Sequence, residues 1–237
     1  MIKVVATGSS GNSYIIQVRE EILLLELGIN FRSIKKELGF DLSKVVGALV
    51  THEHKDHCKC IDDVIKAGID IYMSKGTSEG IKYKASDEAV KNRVHYLKHA
   101  ESYHIGNFLV VSFNVQHDVN EPLGFLIYHK DLGKIVFATD TYYLKNTFRD
   151  IDHVFIECNY SEDVLPSLPA WRARTIRSHM SLETLKDTLK TWDLEGTKDI
   201  TLIHISSDNG NPNRFQKEIE EQTGIKTYIA VPGLEIK

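Results

Sequence analysis

Apolar positions fall in short runs bounded by turn residues, and this pattern dominates the first two thirds of the chain. Lys3–Ala6, Ser13–Val18, Ile22–Leu25, Val45–Val50, Ile69–Met73, Phe108–Val115, Leu123–Tyr128, Ile135–Ala138 and Val154–Ile156 are short and rich in β-branched residues, so each predicts a strand. Helical spacing appears over Ile34–Leu38, over a stretch near Asp56–Ala67, and over Leu182–Trp192, where Leu182, Leu185, Leu189 and Trp192 share one face. Near the end, Asn211 suits a cap, Pro212 the first helical position and Gly224 the helix terminus before a strand at Lys226–Val231. Many short strands joined as hairpins, with helices interspersed, predict two packed sheets with helices outside them, an α/β (α+β) class.

No repeat, linker-like run or shift in composition divides the sequence, so residues 1–237 are expected to form one domain. A hydrophobic content of 42% supplies a core, and only 5 Pro and 15 Gly exclude collagen-like and largely disordered chains. No stretch approaches the ~18 consecutive apolar residues of a membrane span, and the N-terminus lacks a signal-peptide layout. Three cysteines, Cys58, Cys60 and Cys158, are too few for a disulfide framework. These features together predict a cytoplasmic protein without a membrane partner. The net charge of −4 disfavours, without excluding, a grip on extended nucleic acid through its phosphates.

Eleven histidines add chemistry to this frame. Thr51-His52-Glu53-His54-Lys55-Asp56-His57 follows the run Val45–Val50 and so lies where a buried strand ends. Three imidazoles and Asp56 within six positions are the donors that zinc, iron or manganese take in hydrolytic sites, and His52 and His54, two apart on extended backbone, point the same way. The competing explanation is a histidine-rich surface loop. It loses ground because His117, Asp140 and His204 also follow strand-like runs.

His52-x-His54-x-Asp56-His57, then His117, Asp140 and His204, in that order, resemble the metal motifs of the metallo-β-lactamase-fold hydrolases. Thr7-Gly8-Ser9-Ser10-Gly11-Asn12-Ser13 is similar to the first hairpin turn of that superfamily's phosphodiesterase branch, so the likeness spans almost the whole chain. It implies a four-layer αββα metallo-β-lactamase sandwich holding two divalent metal ions. His52, His54 and His117 would hold one ion, Asp56, His57 and His204 the other, and Asp140 would bridge them. Zinc is the default from ligand type, and Mn2+ accepts the same residues. Two such ions would make a bridging water a hydroxide nucleophile toward phosphorus, with Asp56 among the groups on which turnover depends.

Ser178-His179-Met180-Ser181 resembles a motif of the RNase Z group, in which a histidine held by a glutamate protonates the leaving oxygen. Glu157, at the end of Val154–Ile156, stands where that glutamate is expected, making His179 and Glu157 catalytic candidates. No long arm for gripping tRNA is present, which disfavours tRNA processing. The chain is similar both to YycJ-type DNA exonucleases and to the anti-Pycsar phosphodiesterases that hydrolyse cyclic mononucleotides. Acidic charge and small size favour the cyclic mononucleotide, whereas Arg172, Arg174 and Arg177 suit either a backbone track or a solvated charge run. A non-catalytic metal-binding protein is disfavoured by the intact ligand set, and the family likeness suggests a homodimer.

Other residues carry less. Cys58 and Cys60 are expected to pack rather than ligate, and His95, His99, His104, His129 and His153 receive no role. Tyr142 and Tyr143 suit base stacking or the core. Tyr83–Val94 reads as a loop over the active site or a subunit interface.

Overall fold

The computed structural model describes residues 1–237. Strands β1 (Ile2–Ala6), β2 (Ser13–Val18) and β3 (Glu21–Leu25) form an antiparallel meander, with Ile2 opposite Ile16 and Ile15 opposite Leu24. The chain then changes to parallel strands: β4 (Val45–Leu49), β5 (Ile71–Met73) and β6 (Val94–Tyr96) each pair parallel with the strand before. Parallel pairing needs a crossover, and helices supply it. They are α1 (Phe31–Glu37), α2 (Lys55–Cys58), α3 (Ile61–Lys66), α4 (Lys75–Gly80) and α5 (Asp87–Arg93).

A second sheet holds β7 (Ser102–Ile105), β8 (Phe108–Asn114), β9 (Leu123–His129), β10 (Gly133–Ala138), β11 (His153–Glu157), β12 (Asp199–Ile203) and β13 (Thr227–Ile229) in reverse sequence order. Strands β10 to β13 are parallel, with α6 (Ala170–Ile176), α7 (Leu182–Lys190) and α8 (Pro212–Thr223) in the crossovers. The final strand, β14 (Glu235–Ile236), joins β1 at the edge of the first sheet.

The chain divides into two compact units: residues 1–112, 119–123 and 231–237, and residues 113–118 and 124–230. In the first, Ile15 and Leu24 pack with Phe31 and Ile34 of α1 and Ile61 and Val64 of α3. In the second, Val136, Val154 and Leu202 pack with Leu185 of α7, Trp192, and Phe215 of α8. Each sheet therefore buries a face against its own helices, the α/β class expected from the sequence.

Three expectations need correction. Hairpins account for β1–β3, β7–β8 and β9–β10, but β3 to β6 and β10 to β13 run parallel; helices return the chain between these strands except from β10 to β11, where the non-helical stretch 139–152 does so. The helical stretch predicted near Asp56–Ala67 is two helices, broken at Lys59–Cys60. The segment Tyr83–Val94 is not an open loop. Tyr83 packs on the first core, its hydroxyl lying 3.0 Å from Ser78 Oγ, and α5 follows.

One close approach sets the loop after β4. Gly28 N–H donates to the Asn12 carbonyl at 2.9 Å, and a Cβ at residue 28 would fall 1.6 Å from the Asp56 carbonyl oxygen. Only a bare Cα fits there. Gly28→Ala is therefore expected to cost about 1–3 kcal/mol and to weaken metal binding, as followed by thermal unfolding and zinc titration. A variant with wild-type Tm and affinity would contradict this account of the loop.

Candidate active site

In parallel strands the carboxyl ends point one way, so residues following them gather at one edge. In the second unit Asp140 follows β10, Glu157 ends β11 and His204 follows β12, with Glu157 in register with Ile203. Asp140 and His204 adopt positive φ, 48° and 52°, a left-handed backbone that Asp and His accept more readily than bulky residues. Both side chains are buried.

The arrangement around Asp140 is specific. His204 Nε2 lies 3.6 Å from Asp140 Oδ1, and His117 Nε2 lies 3.9 Å from Oδ2, so the two carboxylate oxygens face different imidazoles. Each ring is held by its other nitrogen. His117 Nδ1 is 3.2 Å from the Ser178 carbonyl, and His204 Nδ1 is 3.2 Å from Glu157 Oε1. An Nδ1–H donated to the scaffold leaves Nε2 as the coordinating nitrogen, the usual outer support of a metal-bound histidine. Asn159 adds a bond from its amide to the His204 carbonyl at 2.8 Å.

In the first unit the same logic applies to the loop after β4. His52 Nδ1 meets Thr51 Oγ1 at 2.9 Å, and His57 Nδ1 is 3.2 Å from Glu26 Oε2. His54, at the start of α2, places its ring edge-on to His52 at 4.7 Å between centroids. Asp56 Oδ2 lies 3.4 Å from His57 Nε2, so carboxylate and imidazole converge. Asn12 holds the loop, receiving Gly8 N–H at Oδ1 while its own amide reaches the Asp56 carbonyl and His57 Nε2. Four predicted ligands lie in the loop and helix α2 after β4 in the first unit, and the other three follow β8, β10 and β12 in the second. Imidazole nitrogens and carboxylate oxygens, with Nδ1 already engaged, form a donor set suited to divalent metal ions.

His179 and Glu157 are joined directly by a 2.7 Å bond from Nδ1 to Oε1. The chain from Ser178 to Leu182 is pinned to β11's continuation by Asn159 N–H to the Met180 carbonyl and Leu182 N–H to the Tyr160 carbonyl. Glu157 is fully buried, and its Oε2 accepts the Thr141 and Met180 amides. Burial alone would lower the His179 pKa, but the Glu157 charge and hydrogen bond, with Asp140 behind them, hold it above its usual value. Burial likewise pushes Glu157 upward, and His179 outweighs it and keeps the carboxylate ionised. His117 is shifted down by burial, toward the neutral form that a metal needs.

The remaining candidates separate cleanly. Burial raises the Cys58 and Cys60 thiols to about 12, so they stay protonated at neutral pH and act as packing. Tyr142 and Tyr143 are about half exposed, which removes them from the core. Tyr142, Tyr160, Arg177 and His179 line a cavity of about 320 Å³. Arg172 is tied to Asp208, whereas Arg174 is exposed. Among the histidines without an assigned role, His153 at the start of β11 is bonded to Asp199 at the start of β12 at 2.9 Å.

Sequence reasoning missed Glu26, Asn12 as a ligand support, and Asn159. Glu26 had a signal: a lone carboxylate in the apolar run Ile22–Leu27, now buried at φ 64°.

A family model described as a beta-lactamase superfamily domain matches residues 28–205. The chain belongs to the β-lactamase superfamily. Within that superfamily it is similar to exodeoxyribonuclease WalJ of Streptococcus pneumoniae serotype 2 strain D39, at 28% identity over 87% of this chain and 81% of that protein. It is also similar to exodeoxyribonuclease YycJ of Bacillus anthracis, at 27% identity over 98% of this chain and 92% of that protein. Its fold resembles the metallo-β-lactamase fold protein YhfI from Bacillus subtilis, with a TM-score of 0.75 at 18% identity, covering 98% of this chain and 96% of that one. The chain therefore has the metallo-β-lactamase α/β sandwich and is a hydrolase of that superfamily.

Glu26→Gln tests the support of His57. The amide would face Nδ1 with a donor, moving the ring proton to Nε2 and blocking coordination. Zinc affinity should fall roughly 10–100-fold in a chelator competition, with unchanged circular dichroism. Wild-type affinity would remove Glu26 from the site.

Proposed function

We propose that the chain is a dinuclear phosphodiesterase that removes nucleotides from a DNA end, with residues 1–237 acting as one hydrolase domain. The observation that carries this is the 2.7 Å bond between His179 Nδ1 and the buried Glu157 carboxylate. A sugar alkoxide is a poor leaving group and needs a proton as the P–O bond breaks. Glu157 fixes the imidazole so that its second N–H faces outward, holds it charged, and remains anionic itself. His179 then protonates the departing oxygen at Nε2. In a β-lactam hydrolase this pair has no evident task.

His52, His54 and His117 would hold one ion and Asp56, His57 and His204 the other, with Asp140 shared. Zinc suits these donors, and manganese accepts them. Divalent ions so held supply Lewis acidity toward a phosphoryl oxygen and bring water within reach of ionisation at neutral pH. Arg177, on the cavity wall beside His179, offers a cation to the substrate phosphate, and Tyr142 offers a face for a base.

DNA is preferred as substrate because the two relatives that align along most of the chain are named exodeoxyribonucleases. A second reading, hydrolysis of cyclic mononucleotides, is favoured by the small cavity beside His179 and by the net charge of −4. A homodimer in the cytoplasm completes the proposal, with sedimentation equilibrium as its check.

Two measurements test the function. Metal-loaded protein should shorten end-labelled DNA, stop on chelation, and leave cyclic mononucleotides intact; the reverse preference would establish the second reading. His179→Ala should lower kcat on DNA by about 10²–10⁴ and on an activated aryl phosphodiester far less. Equal losses on both would contradict general-acid catalysis.

A further inference from the structure

The first unit carries a second charged feature beside the metal-ligand loop. A groove of about 720 Å³ is lined by Lys55, Lys59, Lys82 and Lys84, with Ile61 and Ile81 on its apolar side. The two pairs of lysines come together for separate local reasons. Lys55 and Lys59 are four apart on helical backbone, since Lys59 closes α2 in αR conformation, so they share a face. Lys82 and Lys84 are two apart on extended chain: Ile81, Tyr83 and Ala85 turn into the core, and the lysines between them turn out.

This segment is held rather than loose. Asp62 Oδ1 accepts the amides of Lys84 and Ala85 at 2.7 and 2.8 Å, and Tyr83 is engaged by Ser78. The two acidic residues of the groove are similarly committed to backbone. Asp62 is occupied as described, and Glu53 accepts the Asn120 amide at 3.1 Å. None of the four lysines forms an ion pair, and all are exposed.

The contrast with another cation-lined groove is informative. Between α7 and α8, Lys186 and Arg214 both bind Glu218, at 2.8 and 2.7 Å, and Lys217 faces Glu221. That surface is internally compensated. The groove beside α2 is not, although the whole chain is acidic.

We propose that the Lys55/Lys59/Lys82/Lys84 groove is a track for the phosphate backbone of a single DNA strand leading to the ligand loop. Lys55 lies between His54 and Asp56, so a strand on this track reaches the loop without leaving the groove. Four ammonium groups in no ion pair supply a sequence-independent attraction for phosphates. This assignment rests on the phosphodiesterase reading above.

The test is equilibrium binding of a fluorescent oligothymidylate to the full chain across a salt series. Lys59→Gln/Lys82→Gln/Lys84→Gln is compared with Lys98→Gln/Lys190→Gln/Lys217→Gln, which removes the same net charge from lysines that already have carboxylate partners. The groove variant should bind at least tenfold more weakly, with the slope of log affinity against log salt reduced by about 2; the control should keep the wild-type slope. Equal losses in both variants, no loss in either, or no DNA binding by the wild-type protein would each overturn the track. Hydrolysis is scored separately on a dinucleotide too short to occupy the groove. Absence of chelator-sensitive cleavage there would sink the phosphodiesterase reading while the salt slopes still decide the groove.

Discussion

A carboxylate buried beside an imidazole is the interaction on which the rest of this structure depends. Removing an ionised carboxylate from water costs several kcal/mol unless its lone pairs are engaged. Glu157, fully buried, meets this requirement with the Thr141 and Met180 amides on one oxygen and histidine nitrogens on the other, and buried Glu26 accepts the Thr51 amide and lies 3.2 Å from His57 Nδ1. The consequence is directional. A histidine whose Nδ1 proton is committed to a buried acceptor has one nitrogen left for chemistry, and its orientation is set by the sheet. At His57 and His204 that nitrogen is a candidate metal ligand, and at His179 a candidate proton donor.

The sheet supplies the precision. Strand ends in parallel register hold Asp140, Glu157 and His204 within a few ångströms of one another, and two of the three residues sit in a left-handed backbone that a regular strand would not produce. Such local strain costs on the order of 1–3 kcal/mol per residue. It persists because the flanking strands β10, β11 and β12 are apolar and wholly buried along most of their length.

Much of this was legible before any coordinates. The motif from His52 to His57 is local, and His117, Asp140 and His204 each follow a recognisable apolar run, so the sequence pointed to these residues as candidate ligands, and the structure clusters them within each unit. Most of the strands were recovered because β-branched runs are short and bounded by turn residues, but the short edge and connecting strands β6, β7 and β14 were not. Parallel direction was not, since direction depends on where the intervening helices pack. The supports were also hidden: Glu26 and Asn12 act on His57 across 31 and 45 positions, distances at which spacing carries no information. The need for glycine at position 28 arises from an approach to Asp56 that only the folded backbone creates. Net charge was a poor guide to the surface, because ion pairs neutralise most of one cation-lined groove and none of another.

The central proposal is that Asp140 would be shared by two divalent ions, with these histidines as the other candidate ligands. Anomalous diffraction at the zinc edge from crystals grown with zinc tests it most directly. The account predicts two peaks per chain, each in contact with one Asp140 oxygen, one flanked by His117 and the other by His204. A single peak, or metal bound away from Asp140, would contradict it.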